Sequence, residues 1–134
     1  MTFACIADAS VVLKTVLGEQ DSDAAERWLR ANPPAAPAIA HVEFANVLRR
    51  LVKSRLRTKA QALESLRLLV ARVPAIPETP AQIERTFELA LELDHAATDC
   101  RYLAAAQSLG LPLVTADTAF ARKARTKGHD VRTL

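Results

Sequence analysis

The sequence predicts an α/β fold in which a parallel sheet is covered by helices on both faces. Short apolar runs alternate with longer amphipathic segments along the whole chain, two of those runs stop at an aspartate, and all three glycines fall where helices end. A chain of 134 residues and 14.6 kDa makes one domain, residues 1–134, and folding hides roughly two-thirds of the surface that the unfolded chain exposes. With half its residues hydrophobic and a quarter charged, the composition excludes a disordered, collagen-like or disulfide-scaffold protein.

Phe3 to Ala7 (FACIA) reads as a buried strand ending at Asp8, and residues 9–17 as a short helix stopped by Gly18. A second helix opens with the capping residues and early acids of DSDAAERWLRA, carries Trp28 and Leu29 toward a core, and ends before Pro33 and Pro34. Residues 35–39 are a weak strand. His41 to Val52 follows as a helix with Phe44, Val47, Leu48 and Leu51 at helical spacing, and Thr58 opens another with Ala62, Leu63, Leu66, Leu69 and Val70 on one side. Prolines at 74, 77 and 80 bracket a third strand, Val73 to Ile76, and Pro80 to Leu93 is a helix with Ile83, Phe87, Ala90 and Leu91 on one face. Thr98 can cap a helix that runs to Leu109 and stops at Gly110. Leu111 to Thr115 is a strand ended by Asp117, a basic helix spans 118–127, and a last strand lies near residues 130–132.

Several function classes are excluded. No glycine-rich loop is present to cradle a nucleotide phosphate. His41-Val42-Glu43 matches half of a zinc-deaminase signature, but its cysteine partner motif is absent. Cys5 and Cys100, 95 positions apart in apolar segments, read as buried hydrophobes rather than a disulfide or metal pair. The longest uncharged run, Tyr102 to Ala116, has 15 residues broken by Gly110 and Pro112, short of the roughly 20 that span a bilayer. The N-terminus lacks the pattern of a signal peptide, so a cytoplasmic protein without membrane contact is expected. Aromatic residues, at 4%, are too few for a surface that grips single strands by stacking.

Four carboxylates stand out. Asp8 follows the first strand, and Asp117 follows LPLVTA. Glu43 lies near the start of the helix after the second strand, and Asp99 shares a helix face with Tyr102 and Leu103. In an open parallel sheet the carboxyl ends of the strands form the ligand crevice, where all four can converge. Each also has a plainer explanation. Asp8, Asp99 and Asp117 sit at helix starts, where aspartate caps free amides, and Glu43 alone reads as a first-turn acid. Four carboxylates near one another repel and raise one another's pKa, which a divalent cation relieves, and oxygen-only ligands favour Mg2+ or Mn2+ over zinc.

The blocks ADASVVL, HVEFANVL, TDCRYLAAAQSLGLP and LVTADTAFARKA, the last two in order and spacing above all, carry a family likeness. Over nearly its whole length the chain resembles PIN-domain nucleases of the VapC toxin type. The resemblance implies a three-layer α/β/α sandwich on a central parallel sheet of about five strands, and a magnesium-dependent endoribonuclease. It places the acidic site on Asp8, Glu43, Asp99 and Asp117, with Ser10 and Thr115 as supporting hydroxyls. It also implies a toxin held inactive by a cognate antitoxin protein in a dimer-based complex, hence a homodimer. Asp8 and Asp99 are expected as the main direct ligands of Mg2+, with Mn2+ as a substitute. Thr98 stands where relatives often carry an aromatic residue and Arg101 where smaller residues are common, departures that bear on substrate preference.

The 13 arginines and 5 lysines give a net charge of +3. Arg49, Arg50 and Lys53 begin a run of six cations within residues 49–59, and Arg122 and Lys123 begin a second cluster beyond Asp117. They are candidate contacts to RNA phosphates, against the alternative of a solvated helix face. Two rival readings remain. A receiver-like signalling domain needs paired acids after the first strand and an aspartate after the third, which the sequence lacks. A non-catalytic module on a PIN-like scaffold, binding nucleic acid or protein, would use the acids as caps.

Overall fold

The structure is a computed structural model and describes residues 2–18 and 20–134. Twelve elements alternate along it: β1 Cys5–Ala7, α1 Ala9–Leu13, α2 Ser22–Ala31, β2 Pro34–Pro37, α3 Ile39–Lys53, α4 Lys59–Arg72, β3 Ala75–Ile76, α5 Pro80–Leu93, α6 Ala97–Leu109, β4 Leu113–Thr115, α7 Thr118–Thr126 and β5 Val131–Thr133. The five strands form one sheet in the order β3-β2-β1-β4-β5, with every pairing parallel. Ile6 is paired with Ala35 on one side and Leu113 on the other, so β1 is the central strand.

All three residues of β1 are buried although neighbours point to opposite faces, so helices cover both sides of the sheet, as expected for a three-layer sandwich. The chain moves from β1 outward through β2 to β3, then returns across the sheet to β4. With right-handed crossovers that reversal puts α1 to α4 on one face and α5 to α7 on the other. The contacts agree: α1 packs on α3 and α3 on α4, while α5 packs on α6. Helix α6 lies across β1, β2 and β4, and its run of buried residues from Tyr102 to Ala106, three of them alanines, lets it approach the strands closely. The reversal of direction falls between β1 and β4, which makes the gap beyond their carboxyl ends the crevice of the fold.

The structure corrects several boundaries and one face. Helix α6 begins at Ala97 with Ala96 as its N-cap, so Thr98 is an exposed first-turn residue and caps nothing. Gly110 ends the helix at φ 65, as expected of a left-handed cap. Helix α3 begins at Ile39, two residues before the expected start, so Glu43 is past the first turn and is not a dipole-directed acid. Ile83, Phe87 and Leu91 do share one face of α5, but it is the solvent face, at 49%, 64% and 69% exposure, and Thr86, Leu89 and Leu93 are buried instead. On α4, Ala62 and Leu69 are buried whereas Leu63 and Val70 are exposed. Trp28 is half-buried against the core edge, and both cysteines are free and buried. Among the described residues no helix is long and apolar enough to cross a membrane.

Candidate active site

The two strands that flank the crevice are tied together at their carboxyl ends. Asp8 leaves β1 and N-caps α1, its Oδ1 accepting the Ser10 N–H at 3.2 Å. Its Oδ2 accepts the hydroxyl of Thr115, the fully buried last residue of β4, at 2.9 Å. Thr115 Oγ1 in turn accepts the Asp117 N–H at 3.1 Å, and Ser10 Oγ accepts the Ala116 N–H at 3.2 Å. Ser10 and Thr115 therefore act as struts that hold Asp8 and Asp117 on one rim. Asp117, which is exposed, N-caps α7 by accepting the Phe120 N–H at 3.0 Å through Oδ1.

The other two acids arrive from helices on opposite faces of the sheet. Asp99 stands in the first turn of α6. Glu43, in the second turn of α3, accepts the phenol of buried Tyr102 from α6 at 2.6 Å. Burial pushes the Asp8 carboxyl above the ordinary aspartate range, and the Asp99 charge adds to it, while the Thr115 and Ser10 hydrogen bonds pull the other way. Burial likewise raises Glu43; the Tyr102 hydrogen bond lowers it, and Asp8 and Asp99 both raise it. Burial and the Glu43 contact push the Tyr102 phenol far upward, so it remains a hydrogen-bond donor. Asp8, Glu43 and Asp99 thus share one electrostatic neighbourhood.

One residue joins them that sequence reasoning missed. The His95 ring bonds to Asp99 Oδ2 through Nε2 at 2.7 Å, and one ring nitrogen of His95 and single oxygens of Asp99 and Asp117 all lie within 4.8 Å of one another. The H-x-x-x-D spacing was the available signal. Among cations, Arg101 is near enough to lower Glu43, but Glu78 holds its guanidinium in a two-pronged ion pair. Four acids with two of them raised, and the nearest guanidinium already paired, form a donor set that a divalent cation fits.

Arg49, Arg50 and Lys53 are exposed on α3, and Arg122 and Lys123 are exposed on α7. Among the described residues none of the five bonds to any of the four acids; Lys123 Nζ donates to the Asp94 carbonyl at 3.1 Å. His41 is a satisfied structural group, bonded through Nε2 to the Val73 carbonyl at 2.7 Å, and has no part in the rim.

Comparison with known proteins places the chain in a family. The family model described as PIN domain matches residues 5–126. Two sequences named Ribonuclease VapC12, from the CDC 1551/Oshkosh and H37Rv strains of Mycobacterium tuberculosis, are each 32% identical over 129 residues, covering 93% of this chain and 93% of the relative. Among solved structures, PAE2754 from Pyrobaculum aerophilum superposes with a TM-score of 0.70 at 23% identity, covering 98% of this chain and 92% of that one. A toxin-antitoxin complex from Klebsiella pneumoniae superposes at 0.66 with 22% identity, covering 86% and 88%. At those identities the two structures speak to the fold.

Proposed function

The chain belongs to the PIN-domain family, and from that premise we propose that it is a divalent-metal-dependent endoribonuclease, the toxin of a toxin-antitoxin pair. The observation that carries this reading is the convergence of Asp8, Glu43, Asp99 and Asp117 at the crevice between β1 and β4. The curated relatives named as ribonucleases supply the substrate class, and the fold of the toxin-antitoxin complex supports an antitoxin partner.

Asp8 and Asp99 would hold Mg2+, or Mn2+ in its place, with Glu43 and Asp117 bound directly or through water. A bound divalent cation supplies positive charge against the phosphate oxygens and acidifies a water for in-line attack. The protein's part is to fix the carboxylates. Thr115 and the Ser10 amide orient the two oxygens of Asp8, and Tyr102 occupies Oε1 of Glu43, leaving Oε2 for the crevice. Arg49, Arg50, Lys53, Arg122 and Lys123 would contact RNA phosphates on either side. A homodimer and a cytoplasmic location belong to the same proposal, and the apolar stripe of Ile83, Phe87 and Leu91 offers surface for protein contacts.

Asp8 and Asp117 both serve as helix caps, and on that observation a non-catalytic binding module stands as the second reading. Cleavage of a mixed RNA pool by antitoxin-free protein decides between them. With Mg2+ or Mn2+ the parent cuts, and excess EDTA or Asp99→Asn lowers the rate by about a thousandfold or more. A folded protein that neither cuts RNA nor binds metal by calorimetry would leave the binding module; cutting that survives EDTA would overturn the metal mechanism.

A further inference from the structure

We propose that His95 is a nitrogen ligand which, with Asp99 and Asp117, forms a second cation position that takes a first-row transition cation such as Mn2+ in preference to Mg2+. This rests on the reading of the acids as a metal centre and deepens it. Asp99 is the shared residue. It faces Asp8 and Glu43, an all-oxygen side, and through Oδ2 it faces His95 on a mixed side.

The three ligands come from three separate joints of the fold, each fixed by its own backbone contacts. His95 follows Asp94, whose φ of 48 turns the chain sharply at the end of α5, and the His95 N–H closes that turn on the Ala90 carbonyl at 3.1 Å. Its ring lies against Phe120 of α7, with centroids 4.7 Å apart, so both backbone and ring are held before any ligand arrives. Asp99 begins α6, and Asp117 caps the helix that carries Phe120. Such preorganisation is what a binding site needs and what a merely solvated imidazole lacks.

The distances suit coordination. Ligands about 2.1 Å from an octahedral cation stand about 3 Å apart along an edge. His95 Nε2 and Asp99 Oδ2 are 2.7 Å apart, near that edge length, and one oxygen of the exposed Asp117 carboxylate lies within 4.8 Å of a His95 ring nitrogen and of an Asp99 oxygen, a separation that a small side-chain shift closes. The imidazole would bind in its neutral form with the proton on Nδ1, so the cation takes the place of the Nε2 hydrogen bond. Nitrogen is the discriminating donor. Mg2+ prefers oxygen and keeps its waters, whereas imidazole strengthens binding of transition cations.

The test uses the full chain, stripped with EDTA and titrated without RNA with MnCl2 or MgCl2 alone. Pulsed electron paramagnetic resonance of the Mn2+ form is expected to show coupling to an imidazole nitrogen. His95→Gln retains an N–H that can still donate to Asp99, so a purely positioning role would survive it. Under the proposal this variant loses the coupling and binds Mn2+ about tenfold or more weakly, with Mg2+ affinity unchanged. Bound Mn2+ without nitrogen coupling in the parent, or unchanged Mn2+ affinity in His95→Gln, would sink the inference and leave the nuclease reading intact. No Mn2+ bound by the folded parent would overturn both. Should His95→Gln fail to fold, the coupling in the parent alone decides.

Discussion

Glu43 is held against its own electrostatic preference. It is partly buried and faces two other acids, compensated by the Tyr102 phenol at 2.6 Å and, more weakly, by the charge of Arg101. Glu43→Gln keeps that acceptor and removes the repulsion. The metal-free variant is therefore expected to be more stable than the parent by about 1 kcal/mol, or about 4 °C in melting temperature, while cleavage is lost. A lower melting temperature in the presence of EDTA would show that the carboxylate stabilises the fold. At this scale the four acids were legible because a charge directly after an apolar strand, or on an inward helix face, is costly without a purpose. His95 was not. Its link to Asp99 crosses the turn between α5 and α6, and the conformation of that turn depends on Asp94 adopting a left-handed φ that sequence spacing does not announce.

Helix α5 shows how far an element can be read. Its bounds were clear from Pro80 and the amphipathic spacing, and the structure adds that Thr79 caps it in a reciprocal arrangement with Gln82, Oγ1 accepting the Gln82 N–H at 3.2 Å and Gln82 Oε1 accepting the Thr79 N–H at 3.0 Å. Thr79→Ala is expected to cost about 1 kcal/mol, measured by urea unfolding, with RNA cleavage unaffected because the cap lies away from the rim. An unchanged midpoint would show that the preceding prolines fix the helix start without the cap. Which face turned inward was not legible. Periodicity groups Ile83, Phe87 and Leu91 but does not say which group meets the sheet. The opposite face wins because Thr86 satisfies its hydroxyl on the Gln82 carbonyl at 2.9 Å and can be buried beside Leu89 and Leu93.

For the whole molecule, the fold class was legible from alternation alone, whereas the strand order was not, since pairing partners are chosen by packing across the sheet. The acid cluster also gives the molecule a particular response to pH. Asp8 and Glu43 have raised pKa values, so the native state binds protons more tightly than the unfolded chain there; the stability they contribute is present below their unfolded pKa and is lost as pH rises through the folded one. Glu26 has the opposite sign. Its pKa is lowered by Arg72 first and Arg30 second, so its contribution is present at higher pH and fades as pH falls through the folded value, a small effect for a partly exposed pair. Thermal melts in EDTA between about pH 4.5 and about pH 7.5 should therefore show highest stability on the acid side of neutrality, and saturating Mn2+ should move that optimum upward. A metal-free optimum above neutrality would contradict the raised carboxylates. The central place of β1 has a further consequence in time. Thr115 supplies one of the two hydrogen bonds that orient Asp8, yet it is 107 positions later in the chain. During synthesis the first acid of the rim has only its local Ser10 contact while both arms of the sheet are laid down around it, so the rim is assembled only once nearly the whole chain has been made.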